Sequence, residues 1–340
     1  MEVLSKLLID AVSQDLSCDM QGEVNMKFAS DYFLEEEREG FVVQSLMKRA
    51  WAAQLEILEE IRTICKRHQI KYFAMWGTLL GAVRHQGFIP WDDDLDIGML
   101  REDYEKFIRY AGQEVPKGYK VITCQDDDYD QLMMRVANSD KITLDKEFLA
   151  KHHGFPYVAG VDIFPIDTIP PNKEDEEILL TLLRVTDILG VYWDVFDAAS
   201  EERDEQIREV ERLTGYHFTE DKPVRKQLIW LADRVSAMYW DTESDEVSLM
   251  CWYAQGSGRN IPKSVFEHLR EVPFENTVMP IPEDYDLVLS LFYGKAYMTP
   301  IKNWKYAHDH PYFRGQIEQL RDFYGEYGKS LPQCFDMRLE

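Results

Sequence analysis

The sequence predicts an α+β fold, a mixed β-sheet flanked by helices with a helical insertion late in the chain. Three observations carry this reading. Leu95, Ile97 and Met99 alternate with Asp94, Asp96 and Gly98, the two-residue period of a half-buried strand, and residues 160–167 form a second short apolar strand. Leu46, Ala50, Ala53, Ile57, Ile61, Ile64 and Cys65 recur at helical spacing. From Lys173 to about Trp240 the pattern is almost wholly helical. A chain of 340 residues can bury a full core, as one large domain or one domain with a sizeable insertion.

Taken in order, residues 3–12 read as a short amphipathic helix and 35–39 as charged surface. Residues 42–68 are the long amphipathic helix. Residues 70–76, rich in aromatic side chains, read as a strand ending at Gly77-Thr78. After the acidic strand, Tyr104, Phe107, Ile108 and Ala111 place a helix over 101–111. Residues 119–124 and 132–137 are expected strands; the acidic run 126–130 between them lacks alternation and reads as a solvated turn. Residues 142–149 fit a strand or a short helix. Pro170-Pro171-Asn172 opens the insertion, with Asn172 as N-cap and Glu174, Asp175 and Glu176 in the positive first turn. Ser200 is a second expected cap and Gly215 a break. Strands return at 247–253 and 270–274, and a final helix spans 284–293. The division expected is a variable segment 1–41, a domain 42–305 carrying the insertion at about 172–242, and a tail 306–340 packed on that domain.

Composition is that of a soluble globular protein, 45% hydrophobic and 29% charged. The net charge of -24 excludes non-specific nucleic-acid binding, which needs a basic surface, and disfavours tight binding to an anionic membrane. At most peripheral membrane contact is expected, since no run of about 18 apolar residues occurs. Cys18, Cys65, Cys124, Cys251 and Cys334 are scattered and never in a Cys-x-x-Cys pair, as expected of reduced thiols. With no signal-peptide pattern at the start, the expected location is cytoplasmic.

The chemistry concentrates in residues 77–98. Asp92, Asp93, Asp94 and Asp96 crowd five positions directly after Pro90-Trp91. Like charges so close raise one another's pKa unless a cation sits among them. A hydrated acidic loop is the alternative, but it has no need of the apolar alternation that puts Asp94 and Asp96 on one face. The pattern therefore points to a hard cation such as Mg2+, which prefers oxygen ligands. Asp162, between Val161 and Ile163, must be paired, hydrogen-bonded or metal-bound to be tolerated in an apolar strand. Carboxylates from two strands can hold one or two ions against a polyphosphate. Gly77 lets backbone approach a phosphate closely and Arg84 can bind a phosphate oxygen or form a salt bridge. Asp167 and His85 read equally or better as structural residues.

The run WGTLLGAVRHQGFIPWDDDLDIGMLREDYEKF closely resembles the signature of the LicD family, whose best-known members transfer phosphocholine from CDP-choline to cell-surface glycans. VDIFPID, VPFENTVMPIPEDYD and LFYGKAYMTP extend the resemblance over about residues 55–300. It implies a nucleotidyltransferase fold related to fukutin-type transferases. It implies that Asp94 and Asp96 are the metal-binding pair, Asp162 the third carboxylate and nearest the attacking hydroxyl, and Asp92 a helper. Gly77 and Thr78 match the phosphate-cradling pair, with Thr in place of the commoner Ser. The implied cofactor is Mg2+ or Mn2+. The implied reaction moves a phospho-alcohol from a CDP-linked donor to a hydroxyl of a glycan or glycolipid precursor, such as lipopolysaccharide or teichoic acid, releasing CMP.

Rival readings remain at this level. A haloacid-dehalogenase phosphatase also uses Asp-x-Asp after an apolar strand, but Gly98 stands where its motif has Thr or Val. A prenyl-transferase Asp-Asp-x-x-Asp would lie on a helix. Nucleotidyl transfer from a nucleoside triphosphate with release of pyrophosphate, and a non-catalytic nucleotide-binding or scaffold protein of the same fold, are the alternatives within the superfamily.

Overall fold

The computed structural model describes residues 26–29, 31–191, 193, 201–256, 258–301 and 311–338. The first half runs β1 (Glu36–Arg38), β2 (Phe41–Val43), α1 (Ser45–His68), β3 (Phe73–Ala74), α2 (Trp76–Arg84), β4 (Asp96–Leu100) and α3 (Arg101–Glu114). Next come β5 (Lys120–Ile122), β6 (Met134–Ala137), α4 (Lys146–Lys151) and β7 (Gly160–Thr168). The insertion supplies α5 (Lys173–Val191), α6 (Glu201–Thr214) and α7 (Val224–Ser236). The remainder is β8 (Glu246–Ser248), α8 (Met250–Ala254), β9 (Ile261–Pro262), α9 (Ser264–Glu267), the hairpin β10 (Leu269–Phe274) and β11 (Thr277–Pro282), α10 (Tyr285–Tyr293) and α11 (Pro311–Glu326).

The central sheet has the order β3-β4-β7-β6-β5, with β8 added to the end of β7 and β9 to β8. β4 and β7 are parallel; their neighbours pair antiparallel, which makes the sheet mixed. Parallel neighbours need a crossover, and here it is the segment from α3 through the β5–β6 pair and α4. The register sets Asp96 beside Asp162 and Arg135 beside Asp162 from the other side. Leu95, Ile97 and Met99 are buried as their alternation requires, but so are Asp96 and Gly98. β4 is therefore covered on both faces, as expected for a strand with a parallel partner.

The long helix is realised as α1, starting at Ser45 because Phe41–Val43 pairs with β1. It ends at Gln69, which takes a left-handed conformation (φ 54°) and returns its N–H to the Cys65 carbonyl; Lys66, Arg67 and His68 face the negative end of the dipole. The expected strand at 70–76 is corrected to two residues, and Trp76, Gly77 and Thr78 form the first turn of α2. The strand expected at 247–253 stops at Ser248 and gives way to α8. Residues 142–149 resolve in part as α4, capped by Asp145, whose Oδ1 accepts from the Glu147 and Phe148 amides at 3.0 Å. Residues 125–128 are exposed turn.

Asn172 caps α5, its Oδ1 accepting from the Asp175 amide at 2.9 Å, and Gly215 (φ 69°) follows the end of α6. Leu179, Leu183, Val210, Leu228 and Val235 give the insertion a small core of its own. Arg101 ties it to the sheet: Nε and Nη2 donate to Asp167 on β7 at 2.6 and 2.8 Å, and Nη1 donates to Asp233 on α7 at 2.9 Å. Residues 284–293 do not hold the last helix. In α11, Phe313, Ile317, Leu320 and Tyr324 recur at helical spacing and join the main core. The helix expected at 3–12 and the cap at Ser200 lie outside the described residues. The expectation of five reduced thiols is corrected at Cys334, which is disulfide-bonded, while Cys65 and Cys124 are free and buried. No described helix is long and apolar enough to cross a membrane.

Candidate active site

The acidic loop is held by its backbone. Trp51 Nε1 donates to the Asp92 carbonyl and Gln54 Nε2 to the Asp93 carbonyl, each at 2.9 Å, so α1 fixes the loop and leaves its carboxylates to one another. Carboxylate oxygens of Asp92, Asp93 and Asp94 lie within 4.8 Å of one another, so Asp93 joins a set that sequence reasoning had assigned to its neighbours. Asp96 opens β4, and its amide donates to Thr78 Oγ1 at 2.8 Å. That bond pins the first turn of α2 against the start of β4. Thr78 thus serves through its hydroxyl as an acceptor from the strand, while the helix start still presents amide groups.

Gly77 is required by space. A Cβ built there would meet Asp92 Oδ2 at 2.3 Å. Trp76, one residue earlier, has φ 43°, a left-handed conformation that a bulky residue adopts only when its surroundings enforce it. Its ring is enclosed by Trp252 at 4.3 Å, Phe292 at 4.5 Å and Phe164 at 6.1 Å between centroids.

Burial is the largest cause that raises the pKa values of Asp92, Asp94 and Asp96, and mutual repulsion adds to it: Asp94 and Asp93 on Asp92, Asp162 on Asp94, and Asp94, Asp162 and Asp92 on Asp96. The cation beside them is Arg135 on β6. Its Nε and Nη2 donate to the two oxygens of Asp162 at 2.6 and 2.7 Å, a bidentate pair. Burial also raises the Tyr293 hydroxyl, and the fields of Asp92, Asp96 and Asp94 add to it while that of Arg84 opposes them.

Of the residues singled out by sequence, Asp92, Asp94, Asp96, Asp162, Gly77 and Thr78 converge here. Arg84 does not join them. It sits at the far end of α2, donating from Nη1 to the Tyr297 carbonyl and from Nε to His85 Nε2, each at 2.9 Å. His85 caps that helix, and Asp167 belongs to Arg101. Arg135 and Tyr293 were missed. Arg135 had a signal: a cation between buried Met134 and Val136 poses the same question as Asp162 between Val161 and Ile163.

Residues 69–168 match the family model LicD/FKTN/FKRP, nucleotidyltransferase domain. Over these residues the chain is similar to the nucleotidyltransferase domain of that family. The lipopolysaccharide cholinephosphotransferase LicD of Haemophilus influenzae is 44% identical over 72 residues, covering 21% of this chain and 27% of that protein. Uncharacterized proteins of Rickettsia typhi and Rickettsia prowazekii are each 44% identical over 66 residues, covering 19% of this chain and 21% and 25% of theirs. The chain thus spans about a quarter of the length of these curated relatives. The matched segment holds every carboxylate of the cluster, Arg135 and the Gly77-Thr78 turn; the insertion and all that follows lie beyond it.

Proposed function

We propose that the protein is a Mg2+-dependent phosphotransferase that moves a phospho-alcohol group of the phosphocholine type from a CDP-linked donor to a hydroxyl of a glycan or glycolipid precursor. The observation that carries the proposal is the convergence of Asp92, Asp94, Asp96 and Asp162 with the Gly77-Thr78 helix start. In this reading the acceptor oxygen bonds to the phosphorus bearing the alcohol, the bond from that phosphorus to the CMP oxygen breaks, and CMP leaves. The acceptor proton passes to a nearby carboxylate.

The donor set fits a divalent cation. Among the described residues, the carboxylates of Asp92, Asp93, Asp94, Asp96 and Asp162 gather with the Arg135 guanidinium paired to Asp162, burial makes their charge costly, and every candidate ligand atom is a hard oxygen. Asp92, Asp94, Asp96 and Asp162 would hold it, with Asp93 beside them. When bound, such an ion supplies charge neutralisation on the diphosphate and its leaving group. Arg135 fixes the Asp162 carboxylate, the α2 amides offer donors to phosphate oxygens, and the Tyr293 hydroxyl stands ready to donate to an anion in the cleft. With both its oxygens accepting from Arg135, Asp162 is better suited to orienting than to taking the proton.

Incubating the full chain with CDP-choline, Mg2+ and candidate glycans, and following CMP, tests the proposal. CMP release that depends on acceptor and metal supports it. Pyrophosphate from a nucleoside triphosphate, with no CMP from any CDP-linked donor, overturns it in favour of nucleotidyl transfer.

A further inference from the structure

A second site adjoins the carboxylates. A cavity of about 330 Å³ opens between β7 and the insertion, and its walls include Asp130, Leu132, Phe164, Asp187, Trp252 and Gln255. Phe164 lies two residues beyond Asp162 on β7 and therefore on the same face of the sheet. Trp252 packs on Trp76, which immediately precedes Gly77, so one aromatic wall runs from the carboxylate cleft into the cavity.

Asp187 on α5 is the unusual group. It is 5% exposed, and among the described residues its carboxylate is met by Gln255 Nε2 at 3.5 Å, the outer limit of a hydrogen bond. The other buried carboxylates outside the acidic loop have basic partners: Asp167 and Asp233 share Arg101, Asp162 has Arg135, and Glu56 faces the imidazoles of His152 and His153. Asp187 has none within 4 Å among the described residues. Arg225 also lines the cavity, but it is engaged by Asp130 at 3.2 Å, as is Lys226 at 3.0 Å, so among the described residues their charges are answered and that of Asp187 is not. A buried carboxylate left this way is costly unless a positive group completes it. Burial accordingly raises its pKa.

We propose that this cavity is a subsite for an organic ammonium group, seated between the faces of Trp252 and Phe164 with Asp187 as its counter-ion. Aromatic faces and a desolvated carboxylate together favour a bulky, weakly hydrated cation over a neutral alcohol of the same shape. The assignment of that ammonium to a substrate rests on the transferase reading above. It belongs either to the alcohol carried by the donor or to an amino sugar of the acceptor, and the two are separable.

Calorimetric titration of the full chain with choline and with its neutral isostere 3,3-dimethylbutan-1-ol tests the subsite directly. Choline is expected to bind roughly tenfold tighter or more, and Asp187→Asn to remove that preference while leaving the isostere unchanged. Trp252→Ala, at a position 41% exposed, serves as a second variant that removes the preference without disturbing the core. Equal binding of the two probes, or an unchanged preference in a folded variant, overturns the proposal and shows Asp187 to be a protonated structural acid. CDP-choline binding tighter than CMP, with the difference lost in Asp187→Asn, assigns the ammonium to the donor. Glucosamine binding tighter than N-acetylglucosamine, lost in the same variant, assigns it to the acceptor. Failure to bind CMP or CDP-choline at all would instead remove the transferase reading, while the choline preference would still stand.

Discussion

Gly77 stands so close to Asp92 that any side chain on it would occupy the place of the Asp92 carboxylate. The first turn of α2 and the acidic loop are fitted to each other at that point, and only the absence of a Cβ allows it. Gly77→Ala is expected to push the carboxylate aside rather than to unfold the chain, because what must yield is the end of a side chain and not backbone. Turnover should fall by about 100-fold, in line with the cost of misplacing a reacting group by about 1 Å. Steady-state kinetics beside a thermal melt checks this, and a large drop in Tm with normal turnover in the folded fraction would count against it.

Asp94→Asn and Asp96→Asn are expected to abolish turnover while leaving Tm unchanged or higher in metal-free buffer, since each removes one of several mutually repelling buried charges. Mg2+ should raise Tm of the wild-type protein by mass action and have little effect on either variant. Melts with and without EDTA separate the two contributions. A loss of folding in both variants, with activity retained by what folds, would contradict the assignment.

Arg101 is buried between Asp167 and Asp233, and removing it strands both carboxylates. Arg101→Met is expected to cost about 3–5 kcal/mol in denaturant unfolding, the range for breaking a buried ion pair from one side. Because Arg101 joins α3 to both β7 and α7, the insertion should become more susceptible to proteolysis before the sheet does. Uniform loss of protection across the chain would argue against that linking role.

His152 is buried against Glu56, with Lys151, His153 and the ring of Tyr119 around it, and burial lowers its pKa below the ordinary 6.5. The unfolded chain therefore takes up a proton first as pH falls, so stability is full above about 6.5 and declines below it. Glu56, held below its ordinary 4.5 against the cost of burial by the His153 ring at 3.0 Å and the His152 ring at 3.3 Å, extends the decline at lower pH. The acidic cluster has the opposite sign, so the comparison to make is wild type against His152→Gln. The variant should show a shallower loss of Tm between pH 6.5 and 5.5; parallel curves would exclude His152 as the source.

Local pattern carried much of this structure, and the limits of local pattern explain the rest. Alternation located β4, a short apolar run located β7, and the density of carboxylates inside an apolar frame located the site. The extent of β3 was not legible, because the left-handed backbone at Trp76 opens a helix there and the strand ends at Ala74, two residues before its expected end. Ser248 ends β8 for a similarly non-local reason: the pairing of β8 with β7 and β9 gives out there. Phe313, Ile317, Leu320 and Tyr324 did carry a helical period, so α11 was written in a segment that reads as a tail. Arg135 and Asp187 depend on partners in other elements. Their chemistry exists only in the register of β6 with β7 and in the packing of α5 on α7 and α8.

The parallel docking of β7 beside β4 makes Asp96 and Asp162 neighbours although 66 residues separate them. In the unfolded chain those two charges are far apart, and the loop acids are hydrated and free to spread. The repulsion is thus a cost that arrives with the pairing of β4 and β7. If that pairing closes after the folding barrier, a divalent ion has nothing complete to grip until the barrier is behind it. Its effect should then fall on the rate at which the native state opens, with folding from denaturant almost indifferent to it. A protein built this way would owe its lifetime in the folded state, more than its ability to reach it, to the ion supply around it.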